Sequence, residues 1–199
     1  VSQRWLSNMP PGKIFVPEEG MEQLQNILDS IAKLDSQQTW NHHLISVKIG
    51  DRIPFRRNLV IYAIAVNHTI PAIGYLVCEI RNKLKPEYLG RPGSEIAELR
   101  RTGVPITNQL ELPLIAYLGD TQSVSMDSHP LLNRCQILVC ECTFLLPGDR
   151  QRAEKTKHFH LDSLIGLVKN FNGDKIILTH FSQRYSTHLI QQQIEQAIP

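Results

Sequence analysis

Four residues of the 199-residue chain with the chemistry of metal ligands or acid–base groups each stand just past a short apolar run. Asp120 follows Leu114-Ile115-Ala116-Tyr117-Leu118 and one glycine. Glu141 follows Ile137-Leu138-Val139-Cys140. His180 follows Lys175-Ile176-Ile177-Leu178-Thr179, and His68 follows the run that ends at Val66. Such runs read as buried strands. A carboxylate or imidazole at the carboxyl end of a strand lies where α/β sheets build their sites. One residue of this kind is more often a hydrogen-bonded strand cap. Several at corresponding strand ends point to a shared site. Imidazole nitrogen and aspartate oxygen together suit zinc or manganese. His158 and His160 add an H-x-H pair ahead of a helical pattern. Alone that pair reads equally as two surface histidines; one of them could also protonate a leaving oxygen.

The elements that must position these groups are legible in outline. A chain of this length predicts one domain. Its 42% hydrophobic and 20% charged residues exclude a disordered or fibrous chain, and no apolar run reaches the ~18 residues of a helical membrane span. The net charge of +2 neither demands nor excludes a nucleic-acid partner. Further strands are predicted at Lys13–Val16, His43–Ile49, Asn58–Val66 and Gly74–Ile80, and helices at Glu18–Leu34, Leu161–Val168 and Thr187–Ile198. The stripe Met21, Leu24, Ile27, Leu28, Ile31 and Leu34 predicts a helix packed on a sheet. The sum is a layered α/β fold. Residues 81–112 read as a solvated basic connector. Over the 21 positions 81–101, Arg81, Lys83, Lys85, Arg91, Arg100 and Arg101 outweigh three acids, a local net of +3, and Ser94 could cap a short helix. Cys78, Cys135, Cys140 and Cys142 lack metal-site spacing and predict buried reduced thiols.

Several of these segments together carry a resemblance. Gly119-Asp120-Thr121, Glu141-Cys142-Thr143-Phe144, Ala153 with His158 five positions on, and His180-Phe181-Ser182-Gln183-Arg184-Tyr185 occur in the order seen in the carboxyl half of tRNase Z. This is the tRNA 3′-processing endoribonuclease family of the metallo-β-lactamase superfamily. Asn67-His68-Thr69 with Gly74-Tyr75 is similar to its mid-chain histidine motif, and Lys83 to Gly90 resembles the short, plant-like branch. The resemblance implies a metallo-β-lactamase-like αββα sandwich binding two zinc ions, with precursor tRNA as substrate and a homodimer as the working form. His68 would bind the first zinc, Asp120 would bridge the pair and His180 would bind the second. His158, oriented by Glu141, would protonate the leaving 3′-oxygen. Ser182, Arg184 and Tyr185 would shape the site or touch the acceptor end of the RNA, where the planar fork of an arginine suits phosphate.

The family's H-x-H-x-D-H motif, which supplies most of its metal ligands, does not occur in these 199 residues; His42-His43 is the nearest pair to it near the start. The expectation is therefore an incomplete sandwich, the carboxyl-terminal part of the domain over residues 1–199, its amino-terminal part absent upstream of Val1 and its activity lost when it stands alone. Two other readings stay open: a non-catalytic truncated homologue that binds RNA or a partner subunit, and a metallo-β-lactamase-fold hydrolase with another substrate. The expected location is cytoplasmic, with an organelle also open.

Overall fold

The computed structural model describes residues 9–34 and 42–197. The start of the chain, including Arg4, and the end of the last expected helix at Ile198 lie outside them. Strand β1 (Gly12–Pro17), helix α1 (Met21–Ala32) and strand β2 (His42–Val47) form a βαβ unit whose strands pair in parallel, Gly12 opposite His42 through Pro17 opposite Val47. Helix α1 forms where its periodicity predicts it, but none of its residues is buried, and Leu34 beyond it is 86% exposed. Periodicity reports which face of a helix is apolar. What covers that face depends on the neighbouring sheet, and a two-stranded sheet is too narrow to cover a helix.

The remaining strands make one six-stranded sheet in sequence order: β3 (Arg52–Arg56), β4 (Leu59–Ala65), β5 (Ile73–Leu84), β6 (Thr107–Tyr117), β7 (Ile137–Glu141) and β8 (Lys175–Thr179). Pairing is antiparallel from β3 to β6 and parallel from β6 to β8. Two antiparallel steps give β4 the direction of β6, and β7 and β8 share it. The carboxyl ends of β4, β6, β7 and β8 therefore emerge at one edge of the sheet, which brings His68, Asp120, Glu141 and His180 together from distant parts of the chain. Strand β3 was not expected from the sequence; Pro54 lies within it, tolerated because β3 is an edge strand.

One face of this sheet builds the core. Val60, Ile64, Leu76, Cys78, Ala116, Leu138 and Cys140 are buried there with Phe159 and with Leu161, Leu164 and Leu167 of α4 (Leu161–Asn170). Helix α3 (Arg150–Thr156) precedes α4, and α5 (Thr187–Ala197) follows β8. On the other face Tyr75, Tyr117, Val139 and Ile177 form one cross-strand row. β1 reaches it at Tyr75, whose hydroxyl donates to Phe15 O at 3.4 Å. Tyr117 and Ile177 remain 55% and 40% exposed.

Residues 81–112 form a built arm. β5 and β6 stay paired from Glu79 opposite Leu112 out to Leu84 opposite Thr107, and helix α2 (Gly93–Arg101) lies between their outer ends. Pro92 holds the N-cap position of that helix and Ser94 lies inside it, so the expected serine cap is not the one used. Arg81, Arg91 and Arg101 pair with Glu79, Glu95 and Glu98. No helix among the described residues is long and apolar enough to cross a membrane.

All four cysteines are free and buried. Burial pushes the Cys135 thiol up to about 11 and those of Cys78, Cys140 and Cys142 up to about 12, so almost no thiolate exists at pH 8. Iodoacetamide at pH 8 should leave the folded chain unmodified, and mass spectrometry should find four adducts once denaturant is added. Rapid stoichiometric labelling of the native protein would contradict this packing.

Candidate metal and acid–base site

Each strand end is turned toward the site by a local device. After β6 the chain turns at Gly119, whose φ of 65° is open to glycine at little cost. Thr121 follows and is fully buried. Its hydroxyl accepts from Asn67 N at 2.9 Å and donates to Ser123 O at 2.9 Å, while Gln122 N donates to Asn67 O at 2.8 Å. The loop carrying His68 is thus stitched to the loop carrying Asp120. Beyond β7, Cys142 N donates to Thr179 O at 3.0 Å, and beyond β8, Ser182 N donates to Thr143 O at 3.1 Å.

Two non-glycine residues among the described ones have left-handed backbones, Lys157 (φ 53°) and His180 (φ 58°). The conformation costs roughly 1–2 kcal/mol per residue and persists where surrounding contacts enforce it. Both contribute to the site. Lys157 closes α3 and turns its carbonyl to His68 Nδ1 at 3.1 Å. His180 is held by Thr143, whose Oγ1 lies 2.8 Å from His180 Nδ1 and 3.0 Å from His180 O.

Hydrogen-bond logic assigns the ring protons. A carbonyl only accepts, so His68 carries its proton on Nδ1 and keeps the Nε2 lone pair free. The Thr143 hydroxyl has one proton and donates it to Glu141 Oε2. It must therefore accept from His180 Nδ1–H, which leaves the Nε2 lone pair of His180 facing Asp120 Oδ1 at 3.7 Å. Glu141, 1% exposed, also accepts from Thr121 N at 2.7 Å and from His158 Nδ1 at 2.7 Å.

Asp120, Glu141, His158 and His180 could hold a metal ion, each offering a ligand atom with all of these atoms within 4.8 Å of one another. Their hydrogen bonds divide them into two pairs. Glu141 is occupied by three donors and His158 Nδ1 is occupied by Glu141, which makes them a carboxylate-oriented histidine. Asp120 and His180 have open donor atoms. The His158 ring stands 5.0 Å from His68, edge-on, and 5.2 Å from His180, stacked. His68 and His180 each have one nitrogen anchored by a hydrogen bond and the other bare, the arrangement that metal-binding histidines need. His68 lies outside the group of potential ligands, beside the His158 ring, and the open donors of Asp120 and His180 suit a divalent metal ion.

Of the loop after β8, Arg184 is exposed and its guanidinium makes no ion pair among the described residues. Ser182 Oγ lies 3.5 Å from Arg184 N. The Tyr185 hydroxyl donates to Asp149 and accepts from Leu145 N at 3.3 Å, so it ties the loop to the segment before α3. Sequence reasoning missed Thr121, Thr143 and Lys157. Thr143, two residues after Glu141, had only its position near a strand end to signal it.

The chain is 33% identical over 202 residues to a tRNase Z of Arabidopsis thaliana, a match covering 100% of this chain and 71% of the relative. It is 32% identical over 197 residues to a chloroplastic tRNase Z of the same plant, covering 98% of this chain and 55% of the relative. Among solved structures, a metallo-β-lactamase fold protein of Bacillus subtilis superposes with a TM-score of 0.61 at 12% identity, over 98% of this chain and 63% of that one. The short form of human tRNase Z superposes with a TM-score of 0.54 at 21% identity, over 90% and 63%. No protein-family model matches the chain. The chain spans 55% and 71% of the lengths of the two plant relatives. Its mixed α/β architecture is that of the metallo-β-lactamase fold. With a third of its residues shared across its whole length with a plant tRNase Z, the chain belongs to the tRNase Z family.

Proposed function

We propose that this chain supplies the acid–base side and part of the metal shell of a zinc-dependent endoribonuclease that removes the 3′ trailer of precursor tRNA. The observation that carries the reading is the Glu141–His158 pair standing against the open donors of Asp120 and His180. His68, Asp120 and His180 would hold zinc. Zinc, when bound, supplies Lewis-acid stabilisation of charge at phosphorus and a nucleophile at neutral pH.

The chain's own residues do the rest. Glu141 keeps a proton on His158 Nδ1, so a charged His158 directs its second N–H, on Nε2, to the leaving group. As the bond between phosphorus and the 3′-oxygen breaks, His158 Nε2 gives its proton to that oxygen. The tRNA leaves with a 3′-hydroxyl and the trailer keeps a 5′-phosphate. Glu141 returns the neutral ring to the same tautomer. Arg184, exposed and without an ion pair, is the proposed phosphate contact, Ser182 shapes the loop beside it and Tyr185 positions that loop. The working form is proposed to be a homodimer, in the cytoplasm or an organelle.

The test is a 3′-extended tRNA incubated with zinc and the protein encoded by the complete reading frame around this chain. The expected result is one cut leaving a 3′-hydroxyl; a cyclic 2′,3′-phosphate product or no cut overturns the reading. Zinc stoichiometry gives a second check. These residues complete neither shell of a two-zinc site, so the isolated 199-residue chain should retain one weakly held zinc or none after dialysis and should not cleave. Two tightly held zinc ions per isolated chain would show that the donors counted here are the wrong ones.

A further inference from the structure

Two cavities that share Ser163 make a groove that begins at His158. Its near end is a cavity of about 170 Å³ lined by His158, Gln122 and Ser163 together with the charged Arg150, Glu154 and Asp162. Its far end is a cavity of about 530 Å³ between α4 and the loop after Thr121. Ser163 lines both, and consecutive residues step from one to the next: Gln122 to Ser123, and His158 to Phe159. Resting on the reading of His158 as the proton donor, we propose that this groove seats the nucleoside on the 5′ side of the scissile phosphate, the one whose 3′-oxygen leaves.

The lining has the chemistry of a base and ribose. The hydroxyls of Ser123 and Ser163 and the side-chain amide of Asn133 make no hydrogen bond among the described residues. They are free to meet base edges or ribose hydroxyls. Val124, Met126 and Leu167 supply an apolar wall. Asp127 is the charged residue of the far cavity, which holds no lysine or arginine, so that end disfavours phosphate and suits a neutral group. In the near cavity Arg150 is paired with Asp162 at 2.6 Å. A volume of about 530 Å³ is within the ordinary range for a small-molecule site.

Gly166 is a second and independent sign. It sits in the middle of α4, where glycine is the least favourable residue after proline. Nothing lies within 4 Å of the Cβ it lacks, and its φ is not left-handed, so the protein's own packing does not require a glycine there. The missing side chain leaves the groove wall open to an occupant from outside.

Direction follows from the chemistry of the cut. The proton from His158 goes to the 3′-oxygen, so the ribose bearing that oxygen must be adjacent to His158, and its base continues into the groove. The phosphate and the trailer lie toward Asp120 and His180.

The probe is adenosine 3′-monophosphate, which carries its phosphate where the substrate does, compared with adenosine 5′-monophosphate, which stands in for the first trailer nucleotide. Each is titrated into the 199-residue chain and followed by amide chemical shifts. The 3′-monophosphate should shift Ser163 and Gly166, and the 5′-monophosphate should not. Gly166→Leu should weaken the 3′-monophosphate by about tenfold or more while the melting temperature holds or rises. Preference for the 5′-monophosphate, shifts confined to other residues, or unchanged affinity in Gly166→Leu would each overturn the proposal. Failure of the tRNA reading looks different. If the complete protein does not cut 3′-extended tRNA yet the 3′-monophosphate still seats at Gly166, the groove stands and serves another phosphodiester. Efficient cutting with an empty groove sinks the groove alone.

Discussion

Asp120→Ala should abolish metal-dependent cleavage and leave the fold standing. The carboxylate is partly exposed and its one ion-pair contact among the described residues is His180 Nε2 at 3.7 Å. Its removal strands no buried donor, so stability should change by about 0.5 kcal/mol or less, as at ordinary exposed positions. The catalytic loss is of another order. Asp120 has two oxygens positioned beside the bare nitrogen of His180, and no other open carboxylate belongs to the group of potential ligands. Without it the charge that draws a divalent cation to this edge is gone, and with it the Lewis acid that makes hydrolysis at neutral pH feasible. A fall on the order of 10³-fold or more is expected in single-turnover cleavage of a 3′-extended tRNA by the complete protein. Asp120→Asn separates charge from shape: it keeps the volume and one acceptor oxygen, and it should be nearly as inactive while melting with the parent. Cleavage at the parent rate in either variant would remove Asp120 from the site.

Asp120 was legible because its setting is local. An apolar run, a glycine and an acid are all adjacent in sequence, and Glu141 and His180 follow directly on apolar runs of their own. What brings them to one edge is the shared direction of β4, β6, β7 and β8, which short apolar runs suggest but cannot order. The arm at 81–112 was read as a connector because its strand residues, Arg81, Asn82 and Lys83 among them, are polar and exposed, so neither face carries an apolar period. Strand β3 was hidden in the same way, since its pairing depends on Leu59 to Tyr62 across the turn and not on its own composition. Helix α1 erred in the opposite direction: a strong stripe forms, and the described residues leave it uncovered. The polar network was the least legible part. Thr143 touches Glu141 and His180 at once, and Lys157 reaches His68 through a backbone carbonyl, a contact for which side-chain identity carries no signal.

His158→Ala should show a loss that depends on the leaving group. With RNA the departing 3′-alkoxide is strongly basic and needs the proton from Nε2, so a drop of about 10²–10⁴-fold is expected. With a nitrophenyl phosphodiester the departing nitrophenolate is stable without a proton, and the same variant should lose far less. A structural role for His158 predicts equal losses on both substrates, so the ratio of the two losses decides the question. Glu141 acts through the same proton. In Glu141→Gln one acceptor oxygen remains for three donors, and leaving a buried donor unpaired costs about 1–3 kcal/mol. The amide that replaces the other oxygen can donate to His158 Nδ1, which moves the ring proton to Nε2 in the neutral form and lets the ring turn away. Because both changes act on one group, their effects should not add: the double variant His158→Ala with Glu141→Gln should cleave RNA about as slowly as His158→Ala alone. An additive double variant would mean that Glu141 serves the reaction by another route, and its contacts to Thr121 and Thr143 would then be the place to look.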